Sequence, residues 1–133
     1  MATREITIDN LAETIQGGGT VLLDFWAEWC GPCRAFGPIF EKASEAHPDV
    51  VFGKVDTEAQ RELAAGFRIT SIPTLMAFRD GVLVFSQPGA LPAPALQTVI
   101  DRVAELDMDE VRAEIARREA EMSAPDAAST AAR

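Results

Sequence analysis

Residues 21–33, VLLDFWAEWCGPC, decide the fold of this chain. Residues 21–27 are a nearly continuous apolar run rich in strand formers, which predicts a central strand buried on both faces. The run leads almost directly into the pair Cys30 and Cys33. From residue 34 to residue 46, apolar side chains recur at helical spacing. The segment therefore predicts a strand, a reactive turn and a helix in that order.

The rest of the chain continues the alternation of strands and helices. The predicted elements are a weak strand at 4–8, a helix capped by Asp9 and Asn10, a strand at 50–55, a helix through 62–64, strands at 74–79 and 82–85, and a final helix at 92–106. Thr57 and Gln60 form a candidate capping box. Asp80 and Gly81 favour a two-residue hairpin turn, which predicts antiparallel pairing of the last two strands. This order of elements predicts an α/β domain with a right-handed crossover.

Composition and charge restrict the kind of partner. The chain has 133 residues, 47% of them hydrophobic, and a formal net charge of −9. Nucleic acids and anionic membranes need clustered Lys and Arg, so we expect neither as a partner. No apolar run approaches the roughly 20 residues that cross a bilayer, and the amino terminus lacks the pattern of a signal peptide. We therefore expect a monomeric, cytoplasmic protein.

The composition changes after residue 106. Residues 107–122 are highly charged and are expected to form a short additional helix. One thin apolar edge runs along this segment: Met108, Val111, Ile115 and Met122. Residues 123–133 have too few large apolar groups to offset the entropy of ordering, which predicts a disordered tail. The sequence thus predicts one domain at 1–106, a helical extension and a tail.

Two cysteines three positions apart at the start of a helix can form a disulfide and carry redox chemistry. Cys30 would lie where unpaired helix N–H groups and the positive end of the helix dipole stabilise a thiolate, which makes it the nucleophile. Cys33, one turn further into the helix, is predicted to be less exposed and to act as the resolving thiol. Gly31 allows close approach of a target backbone, and Pro32 suits the first helical turn.

A metal site is the alternative interpretation of the cysteine pair. A structural zinc ion takes four ligands, and His47 is the only other Cys or His in the chain. A metal would therefore require a second chain. We expect no metal, and no bound cofactor other than a redox-active disulfide between Cys30 and Cys33.

Residues 24–33, DFWAEWCGPC, resemble the active-site segment of bacterial thioredoxins at every position. The resemblance covers residues 4–106 and continues through Pro38, Lys54, Ser71-Ile72-Pro73-Thr74, Gly81 and Gly89. It implies the thioredoxin fold, a mixed five-stranded central sheet flanked by four helices, in which the third strand lies between the first and the second. Pro88 stands where many thioredoxins carry an aliphatic residue, a departure that bears on the selectivity of its loop.

Asp24 and Lys54 are the first residues to which the resemblance gives a role. Asp24 lies inside an apolar strand, so desolvation is expected to raise its pKa and make it the acceptor of the Cys33 proton. The resemblance places this carboxyl group behind the disulfide. In the alternative interpretation Asp24 is a structural partner of Lys54, and both interpretations need Lys54 nearby.

The resemblance also implies a target-binding surface beside Cys30. Pro73 is implied to be a cis-proline that leaves the backbone groups of Ile72 free for an extended target peptide, with Gly89 close by. From the sequence alone, Pro73 fits an ordinary strand start equally well. Trp29 is expected to belong to the exposed docking surface, whereas Trp26 fits a packing role.

The function that the resemblance implies is reduction of protein disulfides by dithiol–disulfide exchange, in the maintenance of cell redox homeostasis. The implied partners are disulfide-containing proteins and a flavin-containing thioredoxin reductase that uses NADPH. Gly31 and Pro32 argue against a dithiol oxidase or isomerase, because family members with His between the cysteines are better oxidants. A binding subunit that does not use its thiols is the second hypothesis.

Overall fold

Strands and helices alternate along most of the chain. The computed structural model describes residues 2–131, with side chains described through Ser123. The strands are β1 (Thr3–Glu5), β2 (Thr20–Trp26), β3 (Val51–Asp56), β4 (Thr74–Arg79) and β5 (Val82–Pro88). The helices are α1 (Leu11–Gln16), α2 (Gly31–Ala46), α3 (Arg61–Gly66), α4 (Ala93–Glu105) and α5 (Met108–Ala131). None of these helices combines the length and the apolar character that a bilayer span requires.

The strands form one mixed sheet in the order β1-β3-β2-β4-β5, which is the order that the resemblance implies. β3 pairs parallel with β1 and β2, whereas β4 pairs antiparallel with β2 and β5. Asp80 and Gly81 join β4 to β5 with φ angles of 51° and 85°, the left-handed backbone of the predicted two-residue turn. The mixed sheet confirms the predicted fold class.

A hydrophobic core lies on each face of the sheet. Side chains alternate along β2, so Leu22 faces α2 and α4 while Val21 and Leu23 face α1 and α3. The first core is built from Leu22, Phe36, Phe40, Phe52, Leu75, Ala77, Leu96, Ile100 and Val103. The second is built from Ile6, Val21, Leu23, Phe25, Val55, Leu63, Met76 and Phe78. By the same alternation Asp24 lies on the α2 face, under the start of the helix that carries the cysteines.

The predicted helix caps are wrong in their hydrogen bonds. Gln60 is at the N-cap of α3, but its Oε1 accepts the N–H of Ile8 at 3.0 Å, and Thr57 Oγ1 donates to the carbonyl oxygen of Trp26 at 3.0 Å. Asn10 likewise precedes α1, yet its Oδ1 accepts the N–H of Thr7 at 2.8 Å. Each of these side chains is hydrogen-bonded to a backbone group outside its helix instead of capping the helix. Two of the three bonds join residues far apart in sequence, so they form only in the folded structure.

The helical extension is attached through the carboxyl end of α4. The guanidinium group of Arg79 donates to the carbonyl oxygens of Val103 at 2.7 Å and Ala104 at 3.0 Å, which satisfies the end of that helix. α5 then begins with the buried side chain of Met108. It continues to Ala131, beyond the expected end at 122 and through the alanine-rich segment for which the sequence predicts a disordered tail.

Candidate active site

Cys30 and Cys33 form a disulfide at the amino end of α2, just beyond the carboxyl end of β2, with their Cα atoms 5.2 Å apart. Cys30 is the N-cap residue in extended conformation, and its Sγ accepts the N–H of Cys33 at 3.2 Å. Pro32 lies in the first turn, where its missing N–H costs no helical hydrogen bond. The two cysteines do not differ in exposure, since each is 5% exposed in this oxidised form.

What distinguishes the cysteines is their surroundings. The Sγ atom of Cys30 lies 3.7 Å from the carbonyl oxygen of Ile72, on the outer side of the site. Cys33 instead lines a cleft of about 310 Å³ beneath α2, here called the inner cleft. Its other lining residues include Trp26, Arg34, Gly37, Glu41 and Lys54. The predicted difference in exposure is therefore wrong for the disulfide form, whereas the difference in position along the helix is present.

Asp24 is completely buried in β2, next to Lys54 of the neighbouring strand. Neither carboxyl oxygen has a hydrogen-bond partner among the residues that the structure describes. Burial raises the pKa of Asp24 from 3.8 to about 7, because a charged carboxylate is poorly solvated there, and the positive charge of Lys54 opposes this rise. A carboxyl group with this pKa can accept and release a proton near neutral pH.

Lys54 occupies the same row of the sheet as Asp24, since their Cα atoms are register partners in β3 and β2. Its Nζ atom lies 4.9 Å from the centre of the Trp26 ring, a cation–π contact, so Trp26 holds this ammonium group as well as packing. Among the ion pairs of residues 2–131, none joins Lys54 to Asp24 within 4.0 Å. The two residues are neighbours without a closed ion pair.

The outer side of the site is a surface beside Cys30. The peptide bond between Ile72 and Pro73 is cis, as the resemblance implies. The N–H of Gly89, at a φ of 99°, donates to the carbonyl oxygen of Pro73 at 2.7 Å and so fixes the loop after β5 against this turn. Trp29 is 65% exposed and belongs to the same side of the disulfide. Of the predicted docking residues, Ile72 thus contacts the sulfur of Cys30, and Gly89 is hydrogen-bonded to the same cis-proline turn, while their role in target binding stays a prediction.

Gly31, between the cysteines, is open on its outer side. A Cβ atom added there would meet no described atom within 4 Å. The fold of the free chain therefore does not itself demand glycine at this position, and the open space is available to the backbone of a target.

Two glutamates belong to the site although the sequence does not single them out. Glu58 accepts a hydrogen bond from the indole Nε1 of Trp29 at 2.8 Å and so orients this exposed ring. Glu41 lines the inner cleft from α2. A signal for Glu41 is its spacing of four residues from Gly37, which places both on one face of the helix. Glu58 lies 29 positions from Trp29, and only the fold brings them together.

A disulfide between cysteines three positions apart at the start of a helix, beside a cis-proline turn, is the arrangement of a thiol–disulfide oxidoreductase. The family model described as Thioredoxin matches residues 2–102. A putative thioredoxin 2 of Streptomyces coelicolor is 59% identical over 120 residues, which cover 90% of each chain. A thioredoxin of Mycoplasma pneumoniae is 35% identical over 77% of this chain and its own full length.

Solved structures agree with these relatives. The thioredoxin of Fasciola hepatica superposes with a TM-score of 0.71 at 35% identity, over 75% of this chain and 98% of its own. That of Plasmodium falciparum gives a TM-score of 0.70 at 33% identity, over 75% and 98%. The chain belongs to the thioredoxin family, and its redox-active pair is Cys30 and Cys33.

Proposed function

We propose that this chain is a protein-disulfide reductase that serves cell redox homeostasis. The observation that carries the proposal is the placement of the disulfide between two different environments. The sulfur of Cys30 lies 3.7 Å from the carbonyl oxygen of Ile72. Cys33 instead lines the inner cleft together with Lys54, whose charge acts on the buried Asp24. The outer side can bind a target peptide, and on the inner side a carboxyl group can accept a proton.

The reaction begins with the reduced protein. The thiolate of Cys30, stabilised by the N–H of Cys33 and by the helix dipole, attacks one sulfur of the target disulfide. A mixed disulfide forms, and the first target sulfur leaves as a thiolate that takes a proton from water. The thiol of Cys33 then gives its proton to Asp24 and attacks the sulfur of Cys30. The second target thiolate leaves, so the target gains two electrons and the protein ends as the disulfide seen here.

The outer surface supports recognition of an extended peptide. An extended chain beside a cis-proline turn can pair with free backbone groups of Ile72, while Trp29, Pro73 and Gly89 supply the neighbouring contacts. The backbone adds affinity without selecting a sequence, which suits a protein with many disulfide-containing targets.

The partner and the setting follow from the family and the charge. We infer that a flavin-containing thioredoxin reductase regenerates the dithiol with electrons from NADPH, and that the protein acts as a monomer in the cytoplasm. The disulfide is the only redox group in this proposal; it involves no bound cofactor or metal ion. The net charge of −9 favours neither nucleic acids nor anionic membranes as partners.

The test is reduction of the interchain disulfides of insulin with NADPH and a bacterial thioredoxin reductase as electron source. Wild-type protein is expected to catalyse many turnovers, and Cys30→Ser and Cys33→Ser are each expected to remove catalysis. Glu45→Gln, at an exposed position further along α2, is the control and is expected to keep wild-type turnover. If wild type does not accelerate reduction with either NADPH and reductase or dithiothreitol, the reductase function is wrong and a binding role replaces it.

A further inference from the structure

Lys54 lies in a row of charged residues that crosses three strands on the α2 face of the sheet. Its Cα atom is the register partner of Glu5 in β1 on one side and of Asp24 in β2 on the other. Register partners in parallel strands project to the same face. From the exposed edge of the sheet to its buried centre, the row contains the carboxylate of Glu5, the ammonium group of Lys54 and the carboxyl group of Asp24.

Glu41 adds a third carboxylate to this row from the helix above. Its Oε2 atom accepts a hydrogen bond from Thr3 Oγ1 at 2.6 Å, which fixes the side chain against β1. Its Oε1 atom is buried and has no hydrogen-bond partner in the described part of the chain. A buried carboxylate oxygen of this kind favours a nearby cation, because its lost hydration is otherwise uncompensated.

Two cationic side chains, Lys54 and Arg34, line the inner cleft, and Lys54 is the one that lies beneath α2. A Cβ atom added to Gly37 would lie 3.9 Å from Nζ of Lys54, so the ammonium group runs beneath α2 at that residue. Glu41 follows Gly37 by one helical turn on the same face. Arg34 also lines the inner cleft, but its guanidinium group donates to the carbonyl oxygen of Trp29 at 3.3 Å, on the outer side.

Lys54 has carboxyl groups on both sides but forms an ion pair with none of them among the described residues. Its Nζ forms no ion pair within 4.0 Å with a carboxylate of the described residues, and it lies 4.9 Å from the centre of the Trp26 ring. A lysine in this position responds to the balance of charge on its two sides. Asp24 is on the buried side, while Glu41 and the exposed Glu5 are on the outer side.

We propose that Glu41 is a positioning residue for the resolving step, because its carboxylate competes with Asp24 for Lys54 and keeps that ammonium group from closing an ion pair with Asp24. This inference rests on the proposed function, in which Asp24 accepts the proton of Cys33. An ion pair with Lys54 would make Asp24 a weaker base, since a nearby positive charge favours its ionised form. Glu41 thus preserves the basicity that the resolving step uses.

The first test is the pKa of Asp24 in the oxidised protein, followed by the carboxyl carbon signal in NMR. Glu41→Gln keeps the size and the Thr3 contact but removes the charge. We expect the pKa of Asp24 to fall by about half a pH unit or more, because Lys54 moves toward Asp24 and one negative charge is lost. Glu45→Gln, one turn further along α2 and exposed, is the matched control and is expected to leave the pKa unchanged.

A double-mutant cycle tests whether Lys54 transmits the effect. In a Lys54→Met background, Glu41→Gln is expected to change the pKa of Asp24 by less than half of its effect in the wild type. An equal effect in both backgrounds, or an unchanged or higher pKa in Glu41→Gln alone, would overturn the positioning role. These measurements do not require turnover, so they decide the role of Glu41 separately from the insulin assay, which decides the reductase function.

Discussion

At the residue scale, one carboxyl group is buried in the middle of an apolar strand. Asp24 lies on the same side of β2 as Leu22, which belongs to the core beneath α2 and α4. Keeping an acid there costs stability whenever the acid is ionised. Burial of a carboxyl group whose pKa is about 7 is typical of functional sites, which is why we propose Asp24 as the proton acceptor.

The pH dependence of stability measures that cost. The pKa of Asp24 is about 7 in the folded protein against an ordinary value of 3.8, so between these pH values the folded state binds more protons than the unfolded state. The free energy of unfolding therefore decreases as pH rises through this window, by on the order of 4 kcal/mol in total. Asp24→Asn removes this decrease, and its stability relative to wild type is expected to grow between pH 4 and pH 8.

Denaturant unfolding of the oxidised proteins at several pH values makes the comparison. Asp49→Asn, at an exposed position, is the control and is expected to follow the wild-type curve. Parallel pH profiles for wild type and Asp24→Asn would show that the buried carboxyl group does not titrate in this range.

At the scale of the element, α2 places two cysteines of equal exposure in different surroundings. Cys30 is the N-cap residue, where its sulfur receives an N–H and faces the positive end of the dipole. Cys33 is three residues further along and turns toward the inner cleft. Since the two cysteines are equally exposed, position at the helix start and not burial is the basis on which we propose Cys30 as the nucleophile.

This division predicts the behaviour of single-cysteine variants. In Cys33→Ser the thiolate of Cys30 still attacks a target disulfide, but the internal thiol that would release the target is missing. Covalent complexes are expected to accumulate with target proteins and to dissolve with added dithiol. Cys30→Ser is expected to trap few targets, because Cys33 lacks the N-cap position. Non-reducing gels make the comparison, and equal trapping by both variants would contradict the assignment of Cys30 as nucleophile.

At the scale of the whole molecule, the extension is packed against the domain but far from the chemistry. Met108 is buried, and Val111 and Ile115 line a groove with Leu83 and Val84 of β5. These contacts lie at the edge strand of the sheet, whereas the cysteines lie beyond the central strand. The extension therefore contributes to stability through one edge of the fold.

Ending the chain at Leu106 is expected to leave insulin reduction unchanged and to lower the free energy of unfolding by on the order of 1.5–3 kcal/mol, the value of burying one large apolar side chain. Full-length Met108→Ala is the matched variant and is expected to lose a similar amount. Turnover assays and denaturant unfolding measure the two effects. A truncated protein that folds but loses most of its activity would place the extension in the function.

The sequence predicts well the features that depend on neighbouring residues. The apolar run that forms β2 and the Asp80-Gly81 turn are visible because local backbone preferences and side-chain periodicity produce them. The start of α2 at the cysteines follows for the same reason. The candidate site could be named from these features together with the family resemblance, and the predicted pKa rise of Asp24 follows from its place in an apolar strand.

By itself, then, the chain determined the order of its elements and the positions of its cysteines, its buried acid and its exposed tryptophan. Only the tertiary structure decided the partners of polar side chains, because hydrogen bonds and charge pairs depend on distances that separation in sequence does not encode. Thr3 donates a hydrogen bond to Glu41, 38 positions away, and the side chain of Gln60 accepts the N–H of Ile8, 52 positions away, instead of capping α3. The charges around Lys54 come from three other elements, β1, β2 and α2, and their balance exists only once the sheet and α2 are assembled.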